Sequence, residues 1–243
     1  MDRAHYRSCS RLVQANLVVL PEEHAYDFLL FCQRNPRPCP LIEVTEAGSP
    51  EPAGVAPGAD LRTDLPKYRL YREGELTEET TDISRYWRAD LVSFLLGCSF
   101  TFERALMDAG IRLRHMEEGR NVAMWRTSIA CRPAGRFHGP MVVSMRPVPN
   151  ELVPKAVTVT ARFPMAHGAP VHVGDPEAIG ILDLSRPDYG DPVEVRPGEA
   201  PVFWACGVTP QAVALTAKAP FVITHSPGHM FLTDLPDHAL SVL

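Results

Sequence analysis

Twenty-four prolines stand among these 243 residues, about twice the usual ~5% share. They do not gather into one tract but recur at the ends of apolar runs, as in Arg37-Pro38-Cys39-Pro40, Thr209-Pro210 and Ser226-Pro227-Gly228. Proline fixes φ and lacks an N–H donor, so it marks the entrance or exit of an element rather than its interior. The chain is therefore expected to consist of short, sharply bounded elements joined by rigid, site-forming loops.

Val13 to Leu20 reads as a buried strand, and Pro21 opens a helix whose first turn carries Glu22 and Glu23. Ala25, Phe28, Leu29 and Cys32 form one apolar face, and the helix stops before Asn35-Pro36. Leu41 to Thr45 is the next strand, giving a βαβ unit whose strands are expected to be parallel. Residues 46–62 read as an exposed loop and Tyr68 to Arg72 as a strand running into a turn. Asp90 to Leu96 and Phe102 to Ala109 read as two short helices, with Ser99 as an N-cap and Gly110 as a C′ residue.

Beyond residue 111 the pattern changes. Val122 to Cys131 and Met141 to Arg146 read as strands, Asn150 caps a helix bearing Val153, Val157 and Ala161, and Val171 to Val173 is a short strand. Pro201 to Cys206, a helix from Thr209-Pro210 to Lys218, and Phe221 to His225 then form a second βαβ. The expected fold is α/β, a mostly parallel sheet flanked by helices with a smaller inserted α+β domain. Residues 1–110 and 186–243 form the main domain and 111–185 the insertion. No internal repeat of useful similarity is visible.

Composition narrows the function. A net charge of −5 and a pI near 6.0 argue against a nucleic-acid or membrane-surface partner. Mean hydropathy is −0.08, and no apolar run reaches the roughly 18 residues that span a bilayer. Asp2, Arg3, Arg7 and Arg11 interrupt the first residues, so no secretory signal is expected. Six scattered cysteines (9, 32, 39, 98, 131 and 206) without a CxxC pair suit a reducing cytosol and argue against structural zinc. GxGxxG, P-loop and GxSxG motifs are absent, so nucleotide binding and serine-hydrolase chemistry lose their usual support; no cofactor is expected, with a divalent metal left open.

If the last βαβ is parallel, Cys206 and His225 end neighbouring strands at one sheet edge, where open α/β sheets bind ligands. Thr209 as N-cap would direct free N–H groups to a carboxylate there, and Cys206 would gain a depressed thiol pKa. A buried small residue before a glycine turn is the plain alternative. His225 and His229 stand four apart, spaced to meet on one ligand as acid and base, or to be ordinary loop histidines. His167, His172 and Asp175 form a second cluster, in which Asp175 would orient an imidazole. Arg120, Arg136 and Arg146 are candidates for holding carboxylates, with Glu118 as general base or, more simply, as an arginine's partner.

Several of these residues (His167, His172, Asp175, Cys206, Thr209, His225 and His229) lie in stretches that resemble the bacterial hydro-lyases related to mitochondrial D-glutamate cyclase. The matching segments are Val13-Gln14-Ala15-Asn16-Leu17, Arg34-Asn35-Pro36 with Cys39-Pro40-Leu41, and Phe94-Leu95-Leu96-Gly97-Cys98-Ser99-Phe100. Further on they are Arg162-Phe163-Pro164, His167 to His172, Gly174-Asp175-Pro176, Phe203 to Gln211 and Thr224 to Phe231. The resemblance covers about residues 13–235. It implies a two-domain α/β enzyme and loss of water from a small carboxylate, best defined as cyclisation of D-glutamate to 5-oxo-D-proline. Those proteins carry a longer segment rich in Gly and Thr ahead of Val13, which Met1 to Arg11 does not match. A β-hydroxy-acid dehydratase, a non-catalytic small-acid binder and a Cys206-dependent hydrolase are the alternatives, and a homo-oligomer is left open.

Overall fold

A computed structural model describes residues 11–242; Cys9 and the charged residues ahead of it lie outside them. Two antiparallel sheets carry the architecture. The first has β1 (Leu12–Pro21), β2 (Leu41–Val44), β3 (Tyr68–Arg72), β4 (Glu75–Thr80), β5 (Leu91–Gly97), β10 (Val222–His225) and β11 (Phe231–Pro236). Its order is β2-β5-β1-β10-β3-β4, with β11 sharing an edge of β1 with β10. The second has β6 (Met124–Ala130), β7 (Pro140–Pro149), β8 (His172–Val173) and β9 (Glu199–Ala205), in the order β6-β7-β9-β8.

Every strand pair among the described residues is antiparallel, which corrects the expected parallel sheet. The helix α1 (Glu22–Arg34) does link two strands of like direction, β1 and β2. However, β5 inserts between them and runs antiparallel to both. Asp90 to Leu96 were expected to be helical; instead Leu91–Gly97 form this central strand, and all seven of its residues are buried. A strand covered on both faces is a continuous apolar run, which periodicity cannot tell from a buried helix. The last βαβ is also not a unit of one sheet, because β9 and β10 belong to different sheets joined by α5 (Val208–Thr216).

The two sheets hide an internal duplication that the sequence reading missed. Strands β1 and β7 have 10 residues each, β5 and β9 have 7 each, and α2 (Phe100–Asp108) and α5 have 9 each. The ladders match pair for pair: Ala15↔Gly97 through Pro21↔Leu91 in one, Val143↔Ala205 through Pro149↔Glu199 in the other. Both first strands end in proline, which helix α1 follows at once and helix α4 (Val153–Ala161) follows after one 3-10 turn. Both second strands lead through a cysteine and a small residue, Cys98-Ser99 or Cys206-Gly207, into the next helix.

The copies exchange these last helices. Phe102 and Leu106 of α2 pack with Val148, Ala156, Val202 and Trp204 of the second sheet and α4. Val213 and Ala214 of α5 pack with Val18, Phe28, Phe31, Phe94 and Leu96 of the first sheet and α1. The far face of the first sheet is covered by Val55, Ala56, Leu61 and Leu65. The stretch expected to be an exposed loop thus sends Val55, Ala56 and Leu61 into a second core, while most of its other residues stay at least partly exposed. On the second sheet Ile179, Ile181 and Val193 play the same part. The short helix α3 (Arg114–Glu117) lies on the connection between the halves.

Candidate active site

The exchange brings the starts of α2 and α5 to one cavity of about 470 Å³. Cys98, Ser99 and Phe100 line it from one copy and Cys206, Gly207, Val208 and Gln211 from the other. Asn16 on β1, His225 with the turn after β10, and Asn121, Val122 and Met124 complete the lining. Among the described residues, none in the lining is Asp, Glu, Lys or Arg. The chamber is largely apolar, with a few uncharged polar groups set into it.

His225 is 3% exposed. β1 pairs with β11 up to Ala15 and with β10 from Val18, so the N–H of Leu17 falls between the two ladders. That N–H donates to His225 Nδ1 at 3.1 Å. A buried backbone donor needs a partner, and here the ring supplies it. With Nδ1 accepting, the neutral ring carries its proton on Nε2. Gln211 Nε2 lies 2.8 Å from Nδ1 and 3.2 Å from Nε2. Burial pushes the imidazole down to about 4. His225 is thus a neutral donor at physiological pH, not the base that a free imidazole would be.

Asn16 Nδ2 donates to the Gly97 carbonyl at 2.8 Å. A Cβ on Gly207 would lie 2.1 Å from that nitrogen, so the side chain of one copy fills the space a side chain would need in the other. Burial pushes the thiols of Cys98 and Cys206 up to about 12 and about 11. The depressed pKa expected for Cys206 is therefore corrected: desolvation outweighs the helix start. Its Sγ lies 3.3 Å from Met124 Sδ.

The other candidates scatter. Gly207, not Thr209, is the N-cap of α5, and Thr209 Oγ1 accepts from the Val142 N–H at 2.9 Å and donates to its carbonyl at 3.2 Å. His229 is half-buried with Nδ1 2.9 Å from the Pro227 carbonyl and does not line the cavity. His172 Nε2 meets the backbone carbonyl of Asp175 at 2.6 Å, while the Asp175 carboxylate accepts from the Glu177 N–H at 3.0 Å. The carboxylate is a cap there and orients no imidazole. His167 is buried, its Nδ1 2.7 Å from the Arg37 carbonyl, and burial pushes it down to about 4. Arg120 is exposed, 3.3 Å from Glu118 and bonded to the Pro192 carbonyl; Arg136 is exposed as well.

Arg146 differs from the other arginines. It is 1% exposed and lies directly behind the cavity. Its Nε and Nη2 reach Glu103 Oε1 at 3.0 and 2.5 Å, and Nη1 and Nη2 reach Ser144 and Ser99 Oγ at 3.0 Å each. His115 Nε2 stands 3.2 Å from the same carboxylate oxygen. Burial pulls the Glu103 carboxyl upward, but Arg146 and then His115 outweigh it and hold it below its ordinary value. Among the described residues, no group of three His, Cys, Asp or Glu is placed to hold a metal. A wider cleft of about 880 Å³ contains Arg112, Arg114 and Arg196, but each is paired with a glutamate at 2.6 to 3.3 Å.

Asn16, Cys98, Ser99 and Gln211 were not named as site residues from sequence, where Ser99 was read only as an N-cap. Asn16 carried a usable signal, a polar residue inside an apolar strand. All four lie in the stretches that carry the family resemblance.

Residues 92–234 match a family model described as D-glutamate cyclase, and all of the cavity lining except Asn16 falls within them. A Rubrobacter xylanophilus protein named "Putative hydro-lyase" is 68% identical over 224 residues, 92% of this chain and 86% of that one. Its namesake in Stutzerimonas stutzeri is 63% identical over 230 residues, 95% and 87% of the two chains. Among solved structures, a nitrogen repressor-like protein of Methanococcus jannaschii covers 86% of this chain and 80% of its own. At 9% identity and a TM-score of 0.41 it is too distant to carry an argument. With over half of its length under the family model, and relatives this similar along nearly all of it, the chain belongs to the D-glutamate cyclase family.

Proposed function

We propose that this chain is a hydro-lyase acting on a small carboxylate in the cavity, and that its reaction is the cyclisation of D-glutamate to 5-oxo-D-proline with loss of water. The observation that carries the reading is a buried, uncharged chamber built almost wholly from the family-matched residues. Glutamate in water has an ammonium and a γ-carboxylate, neither of which is reactive toward the other. Desolvation disfavours both charged forms. Inside the chamber the ammonium passes one proton to the γ-carboxylate, giving a neutral amine and a carboxylic acid without any change in net charge. The amine nitrogen then adds to the γ-carboxyl carbon. The C–OH bond breaks, the hydroxyl takes a proton from nitrogen, and lactam and water result.

The protein's part is to hold these groups together and to stabilise the carboxyl oxygen that gains charge as nitrogen adds. His225 supplies a neutral Nε2–H for that oxygen, and the Leu17 N–H fixes its tautomer. A β-hydroxy-acid dehydratase needs a base for the α-proton. Neither the neutral His225 nor thiols pushed to about 11 and 12 supply one readily at neutral pH. The same thiol value disfavours a Cys206 nucleophile.

The test is incubation of the purified chain with D-glutamate, L-glutamate and 5-oxoproline, with and without chelator, followed by chiral chromatography. Interconversion of the D-forms alone supports the cyclase. If none of these compounds turns over while one binds, the chain is a binder. His225→Leu removes the donor and is expected to lower kcat about 100-fold with KM little changed. An unchanged kcat sinks the role given to His225.

A further inference from the structure

The two ends of the cavity are topological counterparts, yet they are built differently. Ser99 at the start of α2 corresponds to Gly207 at the start of α5. Glu103, one turn into α2, corresponds to Gln211. Arg146 on β7 corresponds to Val18 on β1, by the matching ladders. One end therefore has a hydroxyl backed by a buried ion pair, and the other a neutral imidazole and amide.

Ser99 is 3% exposed and lines the cavity. Its oxygen accepts from Arg146 Nη2 at 3.0 Å. The guanidinium cannot shift: Glu103 and Ser144 hold it in plane, and its carbon lies 5.3 and 5.4 Å from the ring centroids of Phe102 and Trp204. A hydroxyl that accepts from a guanidinium keeps its own proton to give. Among the described residues, no protein acceptor takes the Ser99 proton. The arginine bond also polarises the hydroxyl and makes it a stronger donor. An ionised carboxylate, which desolvation would otherwise keep out of an uncharged chamber, is the acceptor such a donor suits.

Resting on the reading of the ligand as a small carboxylate, we propose that Ser99 is the residue that binds its spectator carboxylate. Arg146 acts as a positioning residue behind it. The reacting carboxyl then lies at the opposite end, by His225 and Gln211. The hydroxyl gives one charge-assisted hydrogen bond, and the position of Ser99 sets which of two carboxyl groups is left unreacted.

Calorimetric titration of the full chain with 5-oxo-D-proline and with 2-pyrrolidinone, the same ring without the carboxylate, tests this. Ser99→Ala is expected to weaken 5-oxo-D-proline binding tenfold or more and leave 2-pyrrolidinone unchanged. The thermal midpoint reports whether the fold survives. Should Ala disturb it, Ser99→Gly, which copies the counterpart Gly207, is the second variant. Equal weakening of both ligands, or of neither, overturns the proposal. If the wild-type chain binds neither 5-oxo-D-proline nor D-glutamate, the small-acid reading falls and the Ser99 role falls with it. Selective weakening without any turnover of D-glutamate leaves Ser99 in place and removes only the cyclase.

Discussion

Two buried histidines set how the chain responds to acid. In an unfolded chain histidine takes its proton near pH 6.5, whereas His167 and His225 resist it down to about 4. Between those values the unfolded state binds more protons, so stability is full above about pH 6.5 and is lost as pH falls toward 4. The loss is about 1.4 kcal/mol per pH unit for each histidine. Urea midpoints measured across that range should fall steeply. His167→Asn should flatten the slope by one histidine's share, because Asn keeps a donor for the Arg37 carbonyl and tolerates the φ of +78° at this position. A slope no smaller in the variant would show that His167 is protonated in the fold. These residues were visible in the sequence as histidines in motifs. Their neutrality was not, because it depends on burial and on partners such as Leu17 and Arg37, which lie far away along the chain.

At the scale of elements, the start of α5 is fixed by one contact within its own copy and one across to the other. Thr209 ties α5 to β7 by accepting the Val142 N–H, and Thr209→Val leaves that buried donor unpaired. A loss of about 1–3 kcal/mol in urea unfolding is expected; no loss would mean that the Val142 N–H finds another partner. Gly207→Ala places a Cβ at 2.1 Å from Asn16 Nδ2 and must drive Asn16 off the Gly97 carbonyl. Its effect should appear in ligand affinity as well as in thermal stability, and an unchanged affinity for 5-oxo-D-proline would show that Asn16 does not shape the cavity. The strands β1, β6 and β10 and the helices α1 and α5 were legible because proline, glycine and apolar spacing bound them. β5 was not, because burial on both faces erases the alternation that distinguishes a strand. The antiparallel pairing was hidden for a related reason: a strand–helix–strand run cannot show that another strand enters between its ends.

At the scale of the molecule, the duplication was illegible because it survives as geometry rather than as letters. The two copies keep the lengths of the paired long strands, their ladder register, the proline that ends the first strand and the cysteine before the last helix, and little else. The helices α2 and α5 each complete the core of the opposite sheet. Neither 11–110 nor 111–242 can then bury its own sheet. Expressed separately, each is expected to be insoluble or unfolded by circular dichroism, and co-expression should recover a soluble complex; one half folding alone would refute the exchange. A half-length ancestor of this design closes only by intertwining with a second copy of itself, two identical protomers sharing a symmetric pocket. Joining them in one chain removes the obligation to stay identical. In this chain a buried arginine backs one pocket wall and a buried histidine lines the other, so the two walls are not equivalent and a ligand with two different ends would meet a different wall at each.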